Sequence, residues 1–320
     1  PDGSCTNKPT TSIACDAGGK SGVCGDGVCK AVGACPLFVK TYGSGAGYGV
    51  AATGDGDFIV SASSTKIKAL RIGPDGAVKW TTAQGSGGTF RDNRDVARLT
   101  DGSYVLAGHG SDQKTRVTRI SGDGKVLGEY SFGSGGGERY LSRVDASHDG
   151  GACFAGGNAN MGAGGLDGWV VRMNADGSMR WQNVIGSASE DALSSVAAIQ
   201  DGGCAAGGYR ALANALAARW DQAGNKLWEA QFGSGGLSRF YGADAAADGG
   251  FLFTGVEHPG GGSVALEKHL WLLKTGSGGE KLWETKLPGE AGTSGHAVLE
   301  LPDGRIAMAG AKDAYAGNVP

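Results

Sequence analysis

From residue 36 onward the hydrophobic positions fall in short runs of five to eight residues, rich in Val, Ile, Phe, Tyr and Trp and closed by Gly, Asp or Ser. Runs of that length with such boundaries read as strands and hairpins, and few stretches keep an apolar stripe at helical spacing. One pattern recurs six times, an Asp-Gly pair followed by an apolar run: GDGDFIVSA, TDGSYVLAG, HDGGACFAG, QDGGCAAGG, ADGGFLFTG and PDGRIAMAG. The aspartates are Asp55, Asp101, Asp149, Asp201, Asp248 and Asp303. The glycine after each supplies the positive φ that a tight hairpin demands.

Two further anchors keep the same order in every unit. A second turn precedes a tryptophan strand in GPDGAVKW, NADGSMRW, DQAGNKLW and GSGGEKLW, placing Trp80, Trp181, Trp228 and Trp283 in register, with Gly128 as the exception in SGDGKVLG. A Gly-Ser step then ends the unit, as in GSGGT, GSGGG, GSASE and GSGGL. Each unit thus predicts four antiparallel strands. The alanine-rich RALANALAARW occupies the third-strand place and is read as loop and strand. A four-strand repeat of roughly 40 to 55 residues is the signature of a β-propeller blade, and closing the blades into a ring buries both faces of each sheet. The tryptophans are expected to dock one blade on the next.

The expected fold class is therefore all-β, a six-bladed propeller of four-stranded antiparallel blades over residues 36–320. Repeats run at about 43–84, 85–132, 133–185, 186–232, 233–287 and 288–320. The last unit stops before its tryptophan strand, whereas LFVKTYGSG near the start resembles KLWEAQFGSG. Residues 37–45 are expected to complete the last blade and latch the ring.

Composition changes the picture mainly at the N-terminus. Glycine makes up 62 of 320 residues without a collagen triplet, and 40% of residues are hydrophobic, so a packed core is expected over disorder. The net charge of −3 is spread along the chain, which argues against nucleic acid or an anionic membrane surface as partner, and no apolar run is long enough to span a bilayer. Five of the seven cysteines, Cys5, Cys15, Cys24, Cys29 and Cys35, crowd residues 1–35, a segment with hardly any large apolar side chain. Such a segment needs covalent staples: two disulfides with one cysteine over, in an oxidising compartment. Cys24 and Cys29 approach the spacing of a zinc knuckle, but no histidine lies nearby and the second CxxC pair is missing. Cys153 and Cys204 lie four and three residues after their anchor aspartates and are read as facing opposite ways, buried and reduced.

The Asp-Gly turns are short and uniform, while the loops on the opposite face vary, so chemistry is expected among the variable loops. Counting seven residues back from each anchor aspartate gives Tyr48, Arg94, Ser142, Ser194, Tyr241 and His296, a ring at the mouth of the central channel. Loop residues Arg91, Glu138, Arg139, Tyr140, Glu190, Asp191, Arg239 and Phe240 join it. Tyr48, Arg94, Arg139, Tyr140, Arg239, Tyr241 and His296 are the candidate ligand-binding set. Tyrosine with arginine suits a sugar, peptide or carboxylate through stacking and forked hydrogen bonds; the alternative is a set of solvated loop residues.

Catalytic signatures are weak. His109, His148, His258, His269 and His296 lie in different units without paired spacing and are read as surface or loop side chains, and no GxSxG elbow occurs. Asp145 and Asp244 share a channel register with Arg98 and Glu300 nearby, which favours a structural charge network over a catalytic pair. The DGD at Asp55 lacks calcium-loop spacing. No metal or cofactor is expected.

The repeat, best seen in DGWVVRMNADGSMRWQNVIGSASEDALSSVAAIQDGGCAAGG, resembles a family of uncharacterised bacterial secreted propellers. Its turn-plus-Trp element is similar to the tryptophan-docking repeat of quinoprotein propellers, though the adjacent cysteines, calcium ligands and catalytic Asp of a quinone site are missing. CGDGVC at Cys24 to Cys29 resembles the Cys-rich leaders of deltaproteobacterial surface proteins. These resemblances imply an extracellular or cell-surface address, with a lipid anchor before Pro1 as one route to it, and no particular activity. The expected role is a non-catalytic binding or assembly module contacting a protein or glycan at the envelope. A polysaccharide hydrolase or lyase acting at the channel mouth and an accessory subunit of a larger surface filament are the alternatives.

Overall fold

The computed structural model describes residues 14–16, 21–25, 28–31, 40–42, 46–63, 67–83, 90–110, 115–133, 139–211, 213–258, 268–289 and 293–311. Strands β1 (Ala14–Asp16), β2 (Ser21–Gly25) and β3 (Val28–Ala31) form a small antiparallel sheet in which Cys24 and Cys29 are cross-strand neighbours. Cys5, Cys35 and the side chains of Cys15, Cys24 and Cys29 lie outside the described residues, and the expected staples with them.

Five four-stranded sheets follow. They are β4 (Ala46–Ala52), β5 (Phe58–Ser63), β6 (Ile67–Ile72) and β7 (Val78–Ala83); β8 (Phe90–Arg98), β9 (Tyr104–Gly110), β10 (Thr115–Ile120) and β11 (Val126–Tyr130); β12 (Arg139–Ala146), β13 (Ala152–Asn158), β14 (Asp167–Met173) and β15 (Met179–Ile185); β16 (Ala192–Ala198), β17 (Cys204–Arg210), β18 (Asn214–Trp220) and β19 (Lys226–Phe232); β20 (Arg239–Ala245), β21 (Phe251–Glu257), β22 (Lys268–Thr275) and β23 (Lys281–Gly289). A sixth sheet is the hairpin β24 (Ser294–Glu300) with β25 (Ile306–Ala311). Strands pair antiparallel in chain order throughout, as expected, and the alanine-rich β18 is a fully paired strand. The first strands β4, β8, β12, β16, β20 and β24 pack each on the next and line the inside of the arc. The further strand expected after this hairpin and most of the expected closing strand lie outside the described residues.

The six Asp-Gly turns are alike because their chemistry is alike. In one, Leu99 N donates to Ser103 O and Gly102 N to Leu99 O, a three-residue hairpin loop closed by glycine. The turn glycines have φ between +80° and +90°, where a Cβ would be strained.

Alternation of side chains across each strand builds the cores. In β13, Ala152 and Phe154 pack back on Val105, Ala107 and Val117 of the second blade, whereas Cys153 and Ala155 pack forward on Leu193, Val196 and Cys204 of the fourth. The fourth and fifth blades meet through Ala205, Ala217, Phe240, Phe251, Phe253 and Trp271, all buried. Each large side chain sealed there contributes roughly 2–3 kcal/mol.

One sequence expectation is overturned. Cys153 and Cys204 are not reduced: they form a disulfide between the third and fourth blades, their Cα atoms 6.0 Å apart. Opposite facing within the repeat is what brings them together, because the forward face of one blade meets the backward face of the next.

Candidate functional site at the channel mouth

The Asp-Gly face is committed to structure. Five turn aspartates, Asp101, Asp149, Asp201, Asp248 and Asp303, each accept a hydrogen bond from the amide two residues on, whereas at the first turn Asp57 N donates to Thr53 Oγ1. Third-strand cations bind these carboxylates: Arg119 on the other oxygen of Asp101, Arg219 on the other oxygen of Asp201 and, at the fifth sheet, Lys274 on the same Asp248 oxygen that accepts from Gly250 N. Arg172 is fully buried and donates to Asp149, Gly202 O and Met173 O. Arg119 and Arg219 also donate to a carbonyl of a neighbouring blade, Ala175 O at 2.7 Å and Ser277 O at 3.0 Å. Trp80, Trp181 and Trp228 send their indole N–H to Gly122 O, Gln222 O and Ser277 O of the following blade. These are three of the four docking tryptophans expected from the repeat; the fourth, Trp283, is 40% exposed.

The opposite face is built differently. Every first strand carries a β-bulge that leaves unpaired Tyr48, Arg94, Ser142, Ser194, Tyr241 or His296, the six positions counted from the sequence, and β8 has a second irregularity at Arg91. A bulge bends the strand and re-aims the extra side chain. The second strand explains how the bulge is accommodated: a Cβ on Gly156, Gly208 or Gly255 would lie 1.8 to 1.9 Å from the carbonyl oxygen of Tyr140, Ala192 or Arg239. The glycine at this place in β13, β17 and β21 is thus the partner of the bulge.

The structure groups several of the candidates. Tyr241 stacks on His296 with ring centroids 5.3 Å apart, and His296 Nε2 lies 2.9 Å from Ser294 Oγ. The Arg239 guanidinium sits 4.3 Å over the ring of Tyr209, and Arg94 lies 5.8 Å over the ring of Tyr140. Tyr48 is half exposed. Arg139 opens β12, and its side chain lies outside the described residues, as do those of Arg91 and Glu138.

Below the mouth, the channel carboxylates cap amide groups. The first strand of a blade is a sheet edge whose N–H groups need acceptors. Asp95 accepts from Val144 N, Asp145 from Ala198 N and Asp244 from Glu300 N, each reaching the following blade. Burial pushes the carboxyls of Asp95 and Asp145 up to about 6, and it raises that of Asp244. Burial lowers the imidazole pKa of His296, and the positive charge of Arg143 lowers it further. Asp145 and Asp244 therefore belong to a structural network.

Other expectations need correction. Phe240 and Asp191 do not join the mouth. Phe240 is buried against Phe253 and Trp271, and Asp191 is buried while accepting from Ser187 N, Ser187 Oγ and Ala211 N. His258 is buried and not a surface side chain, and His269 lies 3.1 Å from the buried Glu257. Sequence reasoning missed Arg143, one residue past a bulge, and Tyr209 at the end of β17; both follow from the register of the repeat. Two grooves of about 420 and 400 Å³ lie away from the mouth, beside Gln182 and Glu284. The indoles of Trp169 and Trp271 are already paired to those two residues.

Neither a protein-family model nor a curated protein matches this chain. Solved structures do. The WD40 domain of Neurospora crassa Pan2 is similar at 11% identity and a TM-score of 0.50, over 79% of this chain and 69% of that one. A gluconolactonase from Xanthomonas campestris is similar at 14% identity and a TM-score of 0.50, over 82% of each chain. A protein of unknown function from Bacteroides caccae matches at 17% identity and a TM-score of 0.49, over 76% of this chain and 82% of that one. At such identities the likeness concerns the fold, and the chain has an all-β, propeller-type fold.

Proposed function

We propose that this propeller is a non-catalytic binding module of the cell exterior, which takes a protein or glycan partner at the mouth of its channel. The observation that carries the reading is the bulge repeated at one register in all six first strands, which directs tyrosine, arginine and histidine to the variable-loop face. Tyr48, Arg94, Arg139, Tyr140, Arg239, Tyr241 and His296 are the proposed contacts, joined by Arg143. The engagement of Asp95, Asp145 and Asp244 by neighbouring amides favours binding over acid–base chemistry. The disulfide between blades supports an oxidising address, in keeping with the resemblance to secreted bacterial propellers.

The test is a screen of the full chain on immobilised neutral and uronic-acid oligosaccharides and on a peptide array. Arg239→Ala, Tyr241→Ala and His296→Ala are compared with Arg305→Ala on the Asp-Gly face. The reading requires a bound class that the mouth variants lose and Arg305→Ala keeps. Binding indifferent to all three mouth variants, or release of shortened oligosaccharides, would contradict it.

A further inference from the structure

The blades present the same face again and again, and at one place that face is uncovered. Val96, Val144, Val196 and Val298 occupy one register position in their first strands, packed against the preceding blade, and are 5%, 7%, 7% and 8% exposed. Their counterpart in the first blade, Val50, is 63% exposed. Likewise Tyr104 and Phe251 open the second strands of their blades at 2% and 1% exposure, whereas Phe58 at the same position is 39% exposed. On the far side of the sixth sheet, Leu299 is 52% exposed, while its counterparts Ala97 and Ala197 are 8% and 1% exposed. Ala307 and Ala309 are exposed on the same face.

Two uncovered halves of one repeated interface are therefore carried by a single chain. A strap already lies by one of them. Lys40 Nζ donates to Asp75 O and Tyr42 Oη to Gly76 O, on the turn between β6 and β7. The fourth strands of other blades hold the following blade in the same manner: Thr82 donates to Gly124 O, Tyr130 to Asp176 O and Asn183 to Gly224 O. The stretch 40–42 thus stands where the outer strand of a blade preceding β4–β7 belongs.

We infer that β24–β25 dock on β4–β5 of the same chain, closing the ring through a sixth interface that is the weakest of the set and opens reversibly. Intramolecular mating is favoured because both halves share one chain and so meet at high effective concentration. The interface is weak because its side chains are small: Leu299, Ala307 and Ala309 face Val50 and Phe58, in place of the four aromatic rings between the fourth and fifth blades. Closure also brings Tyr48 into the ring of bulge residues beside His296. If the proposed binding function holds, a mouth ligand that touches both would favour the closed form.

The structure provides its own template for the test. Cys153 and Cys204 take the second position of one second strand and the first position of the next, and Ala307 and Phe58 are the matching positions across the seam. The variant Phe58→Cys/Ala307→Cys is oxidised in the full chain, cross-linked peptides are mapped by mass, and oligomeric state is measured. A cross-link within monomers is expected. After mild reduction, the introduced thiols should be alkylated in the native state faster than Cys153 and Cys204. A cross-link found only between copies, or two thiols that never join, would overturn closure within the chain. Introduced thiols as protected as Cys153 and Cys204 would overturn the reversible opening. None of these readouts depends on a ligand, so failure of the binding proposal would be seen separately.

Discussion

Removing the disulfide between the third and fourth blades, with Cys153→Ala/Cys204→Ala, should lower stability markedly while leaving the fold intact. The sulfurs close a loop spanning a sequence separation of 51, for which the chain-entropy estimate is roughly 4 kcal/mol. The surrounding interface keeps Ala155, Val170, Leu193, Val196, Leu216 and Trp220 in place, so the sheets still dock. With a urea slope of about 3 kcal/mol per molar, the loss corresponds to a midpoint lower by about 1 M. The assay pairs urea unfolding of both proteins with alkylation of the wild type in denaturant without reductant, mapped by peptide mass. Both cysteines are fully buried, so reductant should reach them only through unfolding. Alkylation of Cys153 and Cys204 in unreduced, unfolded protein, or a double variant as stable as the parent, would refute the reasoning.

Further expectations concern charge and packing. Carboxyls of Asp95 and Asp145 raised to about 6 from 3.8 bind protons more tightly folded than unfolded, so their contribution to stability falls as pH rises from about 4 to 7. Asp145→Asn should flatten that slope in urea midpoints taken across the interval, and an unchanged slope would contradict the assignment. Below pH 4 the sign reverses, because Asp55, held down to about 2 by Thr53 and Arg71, and Asp101, Asp149 and Asp248, also lowered, lose their hydrogen-bonded and paired charge. Arg172→Leu should cost about 2–4 kcal/mol, since it strands buried carbonyls at Gly202 and Met173, whereas Arg305→Leu, an exposed pair with Asp303, should change stability by less than about 0.5 kcal/mol in the same unfolding assay. Gly224→Ala, at φ +90° and 2.8 Å from Trp181, should cost more than about 1 kcal/mol in thermal unfolding and weaken the docking of that indole.

Much of this architecture could be read from the chain because each repeated element has a local cause. Asp-Gly marks the turns, the Trp anchor marks the docking strand, and the distance to each aspartate locates the bulge residues. What escaped were relations between sheets. The facing of Cys153 and Cys204 was correctly opposite, but opposition within a repeat becomes apposition between neighbouring blades. The third-strand cations Arg119, Arg172, Arg219 and Lys274 sit at uneven distances from their aspartates because the loops between vary in length, and so they hid from a count by spacing. Asp95 stands two residues away from the register of Asp145 and Asp244, so an alignment by position did not join it to them, although it caps an amide in the same way. At the mouth, the bulge positions were legible, whereas the inward turn of Phe240 depended on the aromatic cluster it joins.

The most direct test of the mouth as the working surface is hydrogen exchange of the full chain with and without the oligosaccharide or peptide captured in the array screen. Slowed exchange confined to the first halves of β8, β12, β20 and β24 and to the Gly-Ser loops is the result predicted. Protection of the Asp-Gly turns, with the bulge strands unchanged, would place recognition on the opposite face and contradict the account.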